Sequence, residues 1–88
     1  MTRAEKFRTI CEQIAELYEL KDAAYGNSFG ETYAKLGIVS AATRISDKCN
    51  RLCRLAVNPN IDDFGETLED TLKDLAAYAV MTIIELRK

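Results

Sequence analysis

The sequence predicts an all-α fold, an antiparallel bundle of three long helices with one short helix between the first and second. Three observations predict it. Apolar residues recur at spacings of three and four through three long segments. Glycine, asparagine, serine and proline interrupt that rhythm at few places: AAYGNSFG over 23–30, Gly37, and Asn58-Pro59-Asn60. No stretch alternates apolar and polar residues as a half-buried strand does.

The first helix is predicted from Thr2 to Lys21. Thr2 and Glu5 stand at capping-box spacing. Phe7, Ile10, Cys11, Ile14, Leu17 and Tyr18 share its apolar face, opposite Arg8, Glu12, Glu16 and Glu19. Ser28 and Glu31 repeat the capping spacing and open a short helix over Phe29 to Leu36, which Gly37 stops. The second long helix runs from Ile38 to Val57, with Ile38, Ala41 or Ala42, Ile45, Cys49, Leu52, Cys53 and Ala56 as its inward stripe. Asp63 with Glu66 gives a third capping pattern, opening a last helix that reaches about Arg87. Its stripe is Leu68, Leu72, Leu75, Ala76, Ala79, Ile83 and Leu86.

Residues 1–88 form one domain, and a domain this small has little interior to spend. Hydrophobic residues nevertheless make up 48% of it, and LAAYAVMTII is apolar around much of its girth. More than one face there needs cover, so a homo-oligomer is expected.

Composition removes several function classes. The net charge of −2 offers no basic excess to hold double-stranded DNA by counterion release. No 18-residue apolar run spans a membrane, and MTRAEKFRTI has no signal-peptide core, so a cytoplasmic location is expected. The chain has no histidine, which excludes serine–histidine hydrolysis and a histidine-activated thiol. Cys11, Cys49 and Cys53 fall on apolar stripes and read as small buried hydrophobes.

The chemistry sits in two places. On the second long helix Arg44, Lys48 and Arg51 share a face, with Asp47 and Arg54 beside them. Guanidinium forks suit phosphate oxygens, so this strip reads as a phosphate clamp. On the last helix Glu66, Asp70 and Asp74 are spaced by four, and such stacked carboxylates need something positive. An antiparallel pairing puts Arg54 near Glu66, Arg51 near Asp70, and Asp47 or Lys48 near Asp74. Two readings follow. The rows form an interhelical ion-pair ladder, or they jointly hold Mg²⁺ and a phosphate, with Asp47 as a fourth carboxylate.

The loop KDAAYGNSFG is the second place. Lys21, Tyr25, Asn27, Ser28 and Phe29 set a cation, two aromatics and two hydrogen-bonding side chains on one connection. Tyr25 or Phe29 can stack on a base and Asn27 can read its edge. For Phe29 the hydrophobic-anchor reading is favoured over stacking, and Gly26-Asn27 reads also as turn chemistry. Tyr33 and Tyr78 read as bundle packing with their hydroxyls at the rim.

Three blocks in this order, KDAAYGNSFGET, GIVSAATRISDKCNRL and ETLEDTLKDLAAYAVM, resemble the nucleotide modification associated domain, type 1. The resemblance covers about Leu20 to Glu85. Its marked positions fall on Lys21, Tyr25 and Gly26; on Arg44, Asp47, Lys48 and Arg51; and on Glu66 or Glu69, Asp70, Asp74 and Tyr78. It implies a small phage- or prophage-type protein linked to nucleotide metabolism or nucleotide recognition. The layout is more distantly similar to MazG-like all-helical nucleotide pyrophosphohydrolases, whose E-x-x-E and E-x-x-D pairs hold magnesium. This chain departs from that pattern: Glu12 and Glu16 are four apart, and Glu66-x-x-Glu69 precedes Asp70.

Three functions are therefore expected to compete. The first is a non-catalytic binder that holds or sequesters a nucleotide or nucleotide-derived signal, with Lys21, Tyr25, Asn27, Ser28, Phe29, Arg44, Asp47, Lys48 and Arg51 on the ligand and no cofactor. The second is a Mg²⁺-dependent pyrophosphohydrolase with metal on Glu66, Asp70 and Asp74. The third is a structural interaction module.

Overall fold

Local chemistry at each chain break sets where the helices begin and end. The computed structural model describes residues 1–60 and 66–88 and places four helices on them: α1 Arg3–Tyr25, α2 Ser28–Leu36, α3 Ile38–Val57 and α4 Leu68–Leu86. No strand occurs among the described residues, and no helix there is long and apolar enough to cross a membrane. The fold is all-α, and the helices form a bundle.

Thr2 caps α1 as its spacing predicts, accepting from the Glu5 N–H at 3.1 Å. The helix then runs one turn beyond Lys21, because Asp22, Ala23 and Ala24 contain no breaker. It ends at Gly26, whose N–H donates to the Asp22 carbonyl at 2.8 Å. The cap of α2 is Asn27 and not Ser28: the Asn27 amide oxygen accepts from the Gly30 N–H at 3.2 Å. Any Cβ at position 30 would collide with that Asn27 amide, so the glycine makes room for the cap.

Between α2 and α3 the whole connection is Gly37, at φ 70° and ψ −158°. That backbone region belongs essentially to glycine. Open space surrounds the site, so a methyl group there would be penalised through the backbone alone. Gly37→Ala is expected to lower stability by about 1–3 kcal/mol in a thermal melt. An unchanged melt would mean that the α2–α3 corner is not held in this conformation.

The last helix opens on a capping box made by Thr67 and Asp70. The Asp70 N–H donates to the Thr67 hydroxyl, and the Thr67 N–H to the Asp70 carboxylate, both at 3.1 Å. Glu66 thus lies ahead of the helix rather than in its first turn. Asp63, the other half of the predicted cap, lies outside the described residues.

The α3–α4 pair is the backbone of the bundle. Lys48 meets Asp74 and Arg51 meets Thr71, so numbers rise on one helix as they fall on the other. This is the predicted antiparallel pairing. The same register sets Ala41 across from Thr82. α2 packs on α3 and α4, and α1 packs on α4.

The buried set differs from the predicted stripes. The buried hydrophobic residues among those described are Ala41 and Leu55, joined by Thr71 and Thr82. Threonine survives there because its hydroxyl bonds back to its own helix. Thr82 donates to the Tyr78 carbonyl at 2.7 Å and Thr71 to the Thr67 carbonyl at 3.1 Å. Cys11, Cys49 and Cys53 are exposed free thiols and not buried hydrophobes. Leu68, Leu72, Ile83 and Leu86, predicted to face the core, are exposed on the outer side of α4.

Candidate functional site

The end of α1, the loop after it, the start of α2, the first half of α3 and the middle of α4 enclose a cleft of about 270 Å³. Each element contributes side chains at helical spacing. Ile14, Leu17, Tyr18 and Lys21 come from α1, Ser40 and Arg44 from α3, and Asp74, Tyr78 and Met81 from α4. The capped corner Gly26-Asn27-Ser28-Phe29 lines it as well.

Six of the predicted ligand residues meet here: Lys21, Tyr25, Asn27, Ser28, Phe29 and Arg44. Tyr25 is 76% exposed at the rim, a ring free to cover a flat ligand. Phe29 and Tyr78 lie with ring centroids 5.9 Å apart and tilted by 34°. That contact makes Phe29 an anchor of the wall, and it moves Tyr78 from simple bundle packing into the site. Tyr33 is half-buried and stands outside the cleft lining.

Asp47, Lys48 and Arg51 do not line the cleft. Lys48 and Arg51 are instead taken up between α3 and α4. Lys48 reaches Glu66 at 3.3 Å and Asp74 at 3.1 Å. Arg51 donates to the Glu66 carboxylate at 3.2 Å, to the Glu66 carbonyl at 3.2 Å and to the Thr71 hydroxyl at 3.2 Å. For these residues the ladder reading describes the contacts. Its register is shifted from the predicted one, with Glu66 beside Arg51 and Lys48 rather than Arg54. The shift follows from Glu66 lying before the helix. Asp47 is exposed and makes no ion pair among the described residues.

The three stacked carboxylates have gone separate ways. Glu66 serves Lys48 and Arg51, Asp70 closes the capping box, and Asp74 is shared by Lys48 and Lys21, the latter at 3.3 Å. Among the described residues no three acidic or thiol side chains converge as metal ligands.

The ladder leaves a mark on proton affinities. Burial alone would lower the Lys48 ammonium, but Asp74 and Glu66 outweigh it and hold its pKa above the ordinary 10.5. The Asp70 carboxyl is held below 3.8, first by the Thr67 N–H and then by its hydroxyl. A raised pKa on Lys48 stabilises the fold below 10.5, and that contribution fades as pH rises through the higher folded value. A depressed pKa on Asp70 stabilises it above 3.8, and that contribution fades as pH falls through the lower folded value. The melting temperature is therefore expected to fall at both extremes. Lys48→Met should show a smaller further drop above pH 10.5 than wild type, and an identical alkaline limb would exclude Lys48 as its source.

The cleft also carries charge. Lys21, Arg44 and Lys73 line it against Asp22 and Asp74. Lys21 is engaged by Asp74, and Lys73 by Glu69 at 3.2 Å. Arg44 has no ion pair or side-chain hydrogen bond among the described residues, although it is exposed at the cleft wall. Tyr18, Asp22, Ser40, Lys73, Tyr78 and Met81 were not read as site residues from the sequence. The signal for three of them was one helical step away. Tyr18 is three before Lys21, Ser40 four before Arg44, and Tyr78 four after Asp74.

No family model, no curated protein and no solved structure matches this chain.

Proposed function

We propose that this chain binds a nucleotide or nucleotide-derived small molecule in the α1–α4 cleft and returns it chemically unchanged. The observation that carries the reading is Arg44, whose guanidinium makes no ion pair or hydrogen bond among the described residues and stands on the wall of an aromatic-lined cleft. Arginine pairs with phosphate oxygens through two parallel N–H donors. Tyr25 supplies an exposed face for a base, while Asn27, Ser28 and Asp22 offer donors and acceptors for its edge or its sugar. The volume sits just below the roughly 300–1,000 Å³ usual for small-molecule sites. With three cations set against two carboxylates, the positive excess is small. Both features favour a ligand with one or two phosphates over a free triphosphate.

The resemblance to the nucleotide modification associated domain, type 1, supports the same ligand class, and its phage setting suggests sequestration of a nucleotide signal inside a host cell. The scattered duties of Glu66, Asp70 and Asp74 favour binding over magnesium-assisted hydrolysis. The test is recovery. The protein is incubated with ribonucleoside mono-, di- and triphosphates and Mg²⁺, washed, denatured, and the released molecule weighed by mass spectrometry. Intact nucleotide is expected. A shortened product would replace this reading by the hydrolase, and no retained nucleotide would leave the interaction module.

A further inference from the structure

The best apolar stripe of α4 is on the outside of the molecule. Leu72, Ala76, Ala79, Ile83 and Leu86 follow at steps of four, three, four and three, which keeps them on one face. Leu72, Ile83 and Leu86 remain 45%, 46% and 63% exposed, and Ala79 is exposed too. The inward face of α4 runs along Thr71, Leu75, Tyr78 and Thr82. Asp74 and Met81, which line the cleft, lie on the flank away from the stripe. Cover on the stripe would leave the ligand site open.

The area points the same way. The chain exposes 6756 Å². A compact monomer of 9.9 kDa is expected to expose about 5,200 Å², so this chain carries an excess of about 1,500 Å². Obligate homodimers bury roughly 1,000–2,500 Å² on each subunit. The excess is a whole-chain figure, shared with α1, none of whose residues is buried, and its size is that of one such interface.

From these observations we propose that a second copy of this chain packs on the α4 stripe as an antiparallel, two-fold pair of α4 helices. The 3.5-residue period is that of a helix seated on another helix. Charge selects the copy and its direction. Glu69 and Arg87 are 18 residues apart, about five full turns, and so flank the stripe on the same side at its two ends. A two-fold antiparallel pair brings Glu69 of each copy beside Arg87 of the other, twice over. A parallel pair would place the two Glu69 at one end and the two Arg87 at the other, on opposite sides of the seam, and form neither pair. The inference is independent of the ligand reading and stands or falls without it.

Sedimentation equilibrium of the full chain tests it. The expected mass is twice 9.9 kDa, with a melting temperature that rises with protein concentration. Ala79→Glu should yield the single-chain mass. Ala79 faces solvent in the isolated chain, so a carboxylate there harms only an assembly that covers it, and an unfolded A79E monomer would carry the same meaning. Leu36→Glu, at an exposed apolar position on α2, should leave the dimer intact. For direction, Glu69→Arg and Arg87→Glu should each weaken association about two- to fivefold, and the double variant should restore it. A wild-type mass of one chain up to millimolar concentration, or an assembly that A79E leaves unchanged, would overturn the interface. Failure of the double variant to recover would overturn the antiparallel arrangement.

Discussion

Arg44→Ala is expected to weaken nucleotide binding about ten- to a hundredfold while changing stability by less than about 0.5 kcal/mol. The size follows from what a guanidinium gives a phosphate. Hydrogen bonds to charged groups contribute about 1.5–3 kcal/mol net, and each 1.4 kcal/mol is a factor of ten in affinity. The silence of the melt follows from the geometry. Arg44 is exposed and its side chain makes no ion pair or hydrogen bond among the described residues, so truncating it breaks no polar contact that holds the bundle. Arg44→Lys should recover part of the affinity, since it restores charge without the paired donors. Titration calorimetry beside a thermal melt reads both effects. A large loss of stability with intact binding would place Arg44 in the framework and empty the cleft of its anchor.

Arg51→Ala should do the reverse. Arg51 ties the segment before α4 to the middle of α3 through the Glu66 carboxylate, the Glu66 carbonyl and the Thr71 hydroxyl. Its side chain is 79% shielded from solvent, so these bonds are weakened less than an exposed pair would be. Truncation removes all of them and leaves the Glu66 carboxylate with Lys48 and the Thr71 hydroxyl. A loss of about 2 kcal/mol is expected, which in a chain of this length lowers the melting temperature by about 8–16 °C. Nucleotide affinity of the folded variant should stay within about twofold of wild type, because Arg51 does not line the cleft. Arg44 and Arg51 stand on one face of one helix. Their opposite phenotypes would separate the cleft from the ladder.

How much of this was legible in the sequence depended on whether a residue's role was advertised by its type. The ends of α3 could be read directly, because Gly37 precedes it and Asn58-Pro59 follows it. The end of α1 could not, since alanine at 23 and 24 permits a helix that only Gly26 stops. The start of α4 was ambiguous in principle. Both Asp63/Glu66 and Thr67/Asp70 have capping spacing, and moving from one to the other takes Glu66 out of the helix. That displacement shifts the charge register: Lys48 and Arg51 join the ladder, while Arg44 and Arg54 make no ion pair among the described residues.

The buried residues were hidden for a different reason. Hydrophobicity draws attention to leucine, but α4 presents threonine to α3 and conceals the polarity by back-bonding Thr71 and Thr82. The leucine stripe is therefore outside, where the sequence pattern alone would have buried it. The loop Lys21–Phe29 was easier. Its composition is unlike a plain turn, and its polar and aromatic side chains line the cleft together. Tyr78 escaped because a tyrosine on a helix has two equally ordinary uses, and only the Phe29 contact distinguishes them.

The central claim is that phosphate enters beside Arg44 and that the Lys48–Arg51 ladder stays closed. Side-chain NMR of the labelled protein during titration with a nucleoside monophosphate tests this most directly. The expected result is a large shift of the Arg44 Nε–H resonance, with ring signals of Tyr25 and Tyr78 moving at the same ligand concentrations and Arg51 Nε–H unmoved. Shifts centred on Arg51 and Lys48, or none at any residue lining the cleft, would contradict it.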